Sequence, residues 1–228
     1  MTPPTVQFIP AGGPTLIIYD EFNGPGSGDT DMIGWTPDQT SNGNSWTEPS
    51  NHSWIGTDGF KVNSSGYAYK KGYDRSGNAF DDRVIIDCGT SGDVRIESRC
   101  LCGTQDFAGL CMWASTTSDA PGIVARFRRN NNGSFSVAVS DGTTYTVLKS
   151  TTGLTTAGYD LVNSCFLTME LSGSTLTVEL YEQDEVTLID SYTGSISGYG
   201  LTPTNYVGME MAGYSTSTRQ HYDFKVYA

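Results

Sequence analysis

The sequence predicts an all-β protein, a two-sheet antiparallel jelly-roll sandwich preceded by an extended N-terminal arm. Three observations lead there. Of 228 residues, 27 are Gly and 52 are Ser or Thr, while charged residues make up 17%, so the chain is poor in the Ala, Leu, Glu and Lys that build helices. Short runs rich in β-branched and aromatic residues recur at a spacing of roughly 10–12 residues, with turn residues between them. No long window shows a clean helical period. The length fits a single domain with a core of its own.

Residues 1–14 hold Pro3, Pro4, Pro10 and Pro14. Proline lacks an N–H to donate, so this segment reads as an extended arm outside the sheets; its apolar Val6, Phe8 and Ile9 would suit a groove on a partner. The domain proper is expected over 15–228, opening with a strand at 15–22 (TLIIYDEF). A long polar stretch at 23–53 reads as a loop that Trp35, Trp46 and Trp54 pack down at intervals. Strands are then expected at 84–88, 93–102, 108–115, 123–129, 134–139, 145–148, 165–171, 175–181, 186–190, 207–211 and 222–227. Hairpin turns are expected at Asn130–Gly133, Asp141-Gly142 and Ser172-Gly173-Ser174. In 175–181, Leu176, Val178 and Leu180 alternate with Thr175, Thr177 and Glu179, the signature of one buried and one exposed face.

The formal net charge is −12, from 13 Lys plus Arg against 25 Asp plus Glu. Nucleic acid and anionic membranes select basic surfaces, so neither is expected as a partner. No apolar run is long enough to span a bilayer as a helix. The first residues lack the charged and apolar regions of a secretory signal, which leaves synthesis in a cytosol or a signal already removed. Cys88, Cys100, Cys102, Cys111 and Cys165 are an odd set in a large domain and read as buried free thiols, with one disulfide as the alternative. Cys-x-Cys is too tight for an ordinary zinc site.

Three segments carry a resemblance. Tyr19-Asp20-Glu21-Phe22-Asn23-Gly24 resembles the opening strand of laminarinase/lichenase-type glucanases. Leu171-Ser172-Gly173-Ser174-Thr175-Leu176-Thr177-Val178 is similar to a hairpin of laminin G-like domains. His221-Tyr222-Asp223-Phe224-Lys225-Val226-Tyr227 resembles the closing strand that pairs with the first. Together they bracket nearly the whole domain and point to the concanavalin A-like lectin and glucanase superfamily. The resemblance implies a structural calcium where the first and last strands meet, held by the Asp223 side chain and by backbone carbonyls of Glu21 and Gly59.

The glucanase branch carries Glu-x-Asp-x-x-Glu on one strand, because residues two apart point to the same side and can flank a glycosidic bond. Here the nearest string is Glu182-Gln183-Asp184-Glu185-Val186-Thr187, with Thr in the last acidic place and a turn as its expected setting, so no catalytic residue is assigned and a non-enzymatic protein is expected. A lectin-like glycan site would need an aromatic platform with polar neighbours. Trp113, with Arg126 and Arg128 on a neighbouring strand, is the candidate set. Two functions follow. The chain is a structural or adhesion module of a phage virion surface, made in the host cytosol, attached through its arm to other virion proteins or to further copies, and able to bind glycans. Alternatively it is the lectin-like carbohydrate-binding module of a secreted bacterial protein; a glucanase is the disfavoured third reading.

Overall fold

The alternation that marks the strands also sorts them into two layers. The computed structural model describes residues 14–23, 30–49, 59–70, 83–103, 106–117, 121–129, 132–213 and 220–228. Strands are β1 (Leu16–Asp20), β2 (Thr30–Asp31), β3 (Gln39–Thr40), β4 (Phe60–Asn63), β5 (Tyr67–Lys70), β6 (Arg83–Asp87), β7 (Val94–Leu101), β8 (Asp106–Met112), β9 (Gly122–Arg128), β10 (Ser134–Ser140), β11 (Tyr145–Thr152), β12 (Cys165–Ser172), β13 (Thr175–Tyr181), β14 (Leu188–Ser195), β15 (Tyr206–Gly213), β16 (Gln220–His221) and β17 (Phe224–Tyr227). One sheet has six strands in the order β11-β10-β9-β8-β15-β6. The other has eleven, running β14-β13-β12-β7 and then dividing: β7 pairs with β17, which leads to β1 and β3, and with β16, which leads to β5, β4 and β2. Every pairing among the described strands is antiparallel, and the protein is an all-β two-sheet sandwich.

The inner faces meet in one core. Leu176, Val178 and Leu180 of β13 are buried there with Leu167 and Met169 of β12, Ile123, Ala125 and Phe127 of β9, and Val207, Met209 and Met211 of β15. At ~25 cal/mol per Å² of apolar surface removed from water, each of these side chains except the small Ala125 contributes about 1.5–3 kcal/mol before the entropy of ordering it is subtracted. The expected turns at Asp141-Gly142 and Ser172-Gly173-Ser174 are present, and the one at Asn130–Gly133 lies partly outside the described residues. Gly142 and Gly173 have φ of 95° and 59°, values that favour glycine in tight hairpins. Of the expected arm, residues 1–14, all but Pro14 lie outside the described residues; Thr15 continues the pairing of β1 with β17, exchanging backbone hydrogen bonds of 2.7 and 3.0 Å with Ala228.

The long polar stretch is partly sheet. β2 and β3 are two-residue strands that a period-2 pattern cannot reveal, and β4 and β5 form a hairpin the sequence reading did not separate from its surroundings. Trp46 packs this stretch down as expected: it is buried between Phe22 and Phe224, at ring-centroid distances of 6.3 and 5.0 Å. Trp35 is partly buried against the same core, and Trp54 lies outside the described residues. The expected closing strand 222–227 begins only at Phe224, as β17; Gln220–His221 ahead of it form a separate strand, β16, and the two pair with different branches of the sheet on either side of Tyr222–Asp223. β14 begins at Leu188 rather than at Val186, because Asp184 Oδ1 accepts the Val186 and Thr187 amides at 3.0 and 2.8 Å and fixes a turn there. All five cysteines are buried free thiols. Cys100 stands opposite Cys165 across the β7–β12 ladder, and Cys111 belongs to the other sheet.

Candidate functional site

The outer face of the six-stranded sheet carries Arg126 and Arg128, because Ile123, Ala125 and Phe127 of the same strand turn into the core. Strand register sets a row across this face: Arg83 of β6, Glu210 of β15, Gly109 of β8, Arg126 of β9 and Ser136 of β10. Gly109 has no side chain, so Glu210 and Arg126 meet over it in an ion pair of 3.2 Å with both side chains nearly excluded from solvent. Arg83 is also buried and donates from Nη1 to the Pro121 carbonyl at 2.9 Å. The guanidinium groups of Arg126 and Arg128 lie 4.4 and 5.1 Å from the Phe107 ring centroid, a favourable cation–π arrangement. Tyr145 of β11 is hydrogen-bonded to Arg126, and burial raises its phenol pKa. Arg126 is therefore committed to Glu210, Phe107 and Tyr145, and its role in the fold is to neutralise a buried carboxylate.

Trp113 sits elsewhere. It is four residues past Gly109 and so about 13 Å along the sheet from Arg126, and the structure does not bring it together with the two arginines. β8 ends at Met112, and Trp113 takes φ of 50°, one of three non-glycine residues with positive φ among those described. For a bulky side chain that conformation is costly and is held only by its surroundings. Two contacts hold it here. The indole Nε1–H donates to the Ser91 carbonyl at 3.1 Å, and the ring packs against the edge of the core. Gly122 seals the turn from the other side: a Cβ there would stand 2.9 Å from the Met112 carbonyl oxygen and 3.0 Å from that of Trp113.

The half-buried indole forms one wall of an open groove of about 420 Å³ at the end of the sandwich. Ile196, Leu201 and Pro203 continue the apolar lining, while Ser174, Ser197 and the backbone at Gly173, Gly198 and Gly200 supply polar atoms. The β12–β13 turn is braced from below, since Asp93 Oδ1 accepts the Gly173 amide at 2.6 Å. The second wall is tied to the first hairpin by the Ile196 amide, which donates to the Ser174 carbonyl at 2.9 Å. The groove thus offers one aromatic face, several apolar atoms and neutral hydrogen-bonding groups, and its size lies within the ~300–1,000 Å³ usual for small-molecule sites.

Glu21 and Asp223 are neighbours, because the β1–β17 register that pairs Asp20 with Phe224 places them opposite each other one step on. Gly59 does not join them. The Glu21 carbonyl faces Gly66, whose Cβ position is 3.8 Å away, and Gly59 lies at the other end of the β4–β5 hairpin, roughly 13 Å along β4. The donors are also engaged. Asp223 Oδ1 accepts the Arg99 amide at 2.7 Å, replacing the ladder carbonyl where the closing strand divides, and Oδ2 has the Lys225 ammonium at 3.5 Å. Glu21 accepts from the Tyr19 hydroxyl and from Asn23 Nδ2. An ammonium beside the carboxylate and a missing carbonyl do not suit a calcium ion, which wants six to eight oxygen ligands. Among the described residues no group of three or more His, Cys, Asp and Glu side chains could hold a metal. The acidic string 182–187 lies in the β13–β14 turn, where Glu182 accepts the Asp160 amide at 3.0 Å and Glu185 pairs with Arg99.

With the geometry in hand, comparison with solved structures places the architecture. The CBM2 module of the evolved Dit protein of Lactobacillus casei BL23 phage J-1 superposes with a TM-score of 0.58 at 14% identity, over 93% of this chain and 94% of that one. The two chains share an all-β two-sheet sandwich. The VIP36 exoplasmic/lumenal domain in its Ca2+/Man2-bound form is similar over 93% of this chain and 86% of its own, with a TM-score of 0.56 and 15% identity. The GH43 protein BlXynB of Bacillus licheniformis matches over 99% of this chain at a TM-score of 0.57 and 11% identity, but the chain spans only 40% of that protein's length. No family model matches the sequence, nor does any curated protein. At these identities the likeness is one of fold.

The sequence reading singled out Trp113 but gave it the wrong neighbours. The wall formed by residues 196–203 was missed. Its only signal is the Ser-Gly-Tyr-Gly run at 197–200, where Gly198 and Gly200 have φ of 92° and 68° and Tyr199 between them packs against the core.

Proposed function

We propose that this protein is a non-catalytic glycan-binding module of a phage particle, exposed on the virion surface and attached through residues 1–14. The observation that carries the glycan-binding reading is the Trp113 groove, with an aromatic face set beside neutral hydroxyl and backbone groups on a braced turn. Pyranose rings present apolar C–H faces and a rim of hydroxyls, so a half-buried indole flanked by such donors and acceptors suits them. The fold likeness to a phage carbohydrate-binding module over nearly the full length of both chains supports the virion setting. A non-enzymatic role is supported by the engagement of these carboxylates among the described residues: Glu210 is tied to Arg126, Glu97 to Arg95 at 2.7 Å, and the 182–187 string to its turn, whereas glycoside hydrolysis uses a two-carboxylate pair across an open cleft. A second reading, a binding module within a longer secreted bacterial protein, is favoured by the match to a 40% portion of the GH43 protein.

A glycan array probed with the purified chain tests the proposal. Binding to a defined set of saccharides without release of reducing ends is the expected result. Hydrolysis of those saccharides, abolished by a single Glu→Gln change, would overturn it. Immunogold labelling of particles separates the two readings: the virion reading expects label on the capsid or tail, the secreted reading label on none.

A further inference from the structure

Resting on the glycan-binding reading, we infer that the Trp113 groove takes an uncharged pyranose unit and that the Asp141 carboxylate at its mouth discriminates against acidic sugars.

None of the residues that line the groove carries a charge. Two carboxylates border the lining: Asp93 lies beneath the β12–β13 turn, its Oδ1 accepting the Gly173 amide at 2.6 Å, and Asp141 approaches Gly200 from the six-stranded sheet. Gly200 forms part of the rim, and a Cβ at that position would lie 3.7 Å from Asp141 Oδ2 and 3.8 Å from Asp141 Cβ. Asp141 belongs to the β10–β11 turn. Its Oδ1 accepts the Thr143 and Thr144 amides, each at 2.7 Å, and the Thr143 hydroxyl at 2.8 Å. Those bonds hold the side chain in one orientation and lower its pKa, so the group is anionic across the physiological range. With Oδ1 turned into its own turn, Oδ2 is the atom directed toward Gly200.

A bound hexose offers hydroxyls, which can donate to Asp141 Oδ2. A uronic acid, a sialic acid or a phosphorylated sugar would set a second anion beside it, in a chain whose net charge is already −12. One like charge held near contact distance in a water-like dielectric weakens binding about fivefold, and salt screens the effect. Asp141 is thus a specificity-determining residue, while Trp113 supplies the contact area.

The test is a titration of the ¹⁵N-labelled protein with oligosaccharides of glucose, galactose, mannose and xylose, and with the glucuronic and galacturonic counterparts of the first two. The expected result is that amide shifts concentrate at Trp113, Gly173–Ser174 and residues 196–201, and that the neutral member of each pair binds about fivefold more tightly at low salt. Asp141→Asn keeps the Oδ1 acceptor for the turn and should erase the difference within each pair, while the loss of the Oδ2 acceptor lowers neutral affinity slightly; raising the salt to ~1 M should erase the difference in the native protein. Trp113→Ala should abolish binding, and if that variant does not fold, Trp113→Phe should weaken it. Equal affinity for both members of a pair in the native protein, or a difference that survives Asp141→Asn, overturns the discrimination. Saccharide binding with shifts confined to other surfaces overturns the groove assignment and leaves the glycan-binding reading standing. Failure of every saccharide to bind overturns both.

Discussion

Replacing His221 by Gln should give a protein that loses stability, relative to the native one, as the pH rises from about 4.5 to 6. His221 is completely buried in the core; its Nδ1 lies 2.7 Å from Ser98 Oγ, which in turn donates to the Asp223 carbonyl at 2.6 Å. Burial pushes the imidazole pKa down from 6.5 to about 3. Between those values the unfolded chain binds one more proton than the folded one at this site, so its contribution to stability is complete above pH 6.5 and is lost as the pH falls. Asp20 has the opposite sign. It is buried at the end of β1, and desolvation pushes its pKa up from 3.8 to about 7, although Trp46 Nε1–H and the Phe22 amide donate to it at 2.7 and 2.9 Å. Its contribution is complete below pH 3.8 and is lost as the pH rises toward 7. Each slope is about 1.4 kcal/mol per pH unit in magnitude. Across pH 4.5–6 the two cancel in the native protein. His221→Gln removes the rising one, so its stability difference from native should grow by about 2 kcal/mol over that interval. Asp20→Asn should change by the same amount in the other direction, and the double variant should run parallel to native. Urea titrations at several pH values read these slopes directly. Single-variant curves parallel to native would show that neither group is perturbed by the fold and would refute the reasoning.

Other expectations follow from the same contacts. Glu210→Ala leaves Arg126 buried with its ion-pair partner gone and should cost about 3–5 kcal/mol in urea denaturation, whereas replacing both Glu210 and Arg126 by apolar residues of similar volume should recover most of that; a loss under 1 kcal/mol would deny the pair its role. Asp223→Ala removes the acceptor of the Arg99 amide and should cost about 1–3 kcal/mol, equally in calcium and in chelator; a calcium-dependent cost would restore the metal to that corner. Burial raises the Cys88, Cys100 and Cys165 thiol pKa values and pushes Cys102 up to about 12. All five thiols are buried and should stay unreactive toward a disulfide reagent at pH 8 until the protein unfolds, and fast labelling of the folded protein would contradict their placement.

The sequence revealed the fold wherever one strand face is apolar and the other polar. β13 has the expected bounds, and β7, β9, β10 and β12 differ from theirs by a residue or two at their ends. It concealed β2 and β3, which are too short to carry a period and exist because neighbouring strands offer them partners. It concealed the division of the closing strand too, because an Asp side chain does there what a backbone carbonyl does elsewhere. For the site, Trp113 was legible as an aromatic residue at the end of a strand. Its neighbours were not, since a positive φ turns the ring away from the face that alternation would assign. The groove's far wall and the Asp141 carboxylate arrive from β-turns distant in sequence, and only the packing of the two sheets brings them to one end of the molecule.

The central claim, that the Trp113 groove binds saccharide, is tested most directly by isothermal titration of native protein and a folded Trp113 variant with the saccharide that a glycan array selects. Measurable heat of binding is expected with native protein, and its loss, or at least a tenfold weakening, with Trp113→Ala, about 1.4 kcal/mol or more. Unchanged affinity in a folded Trp113→Ala protein would contradict it.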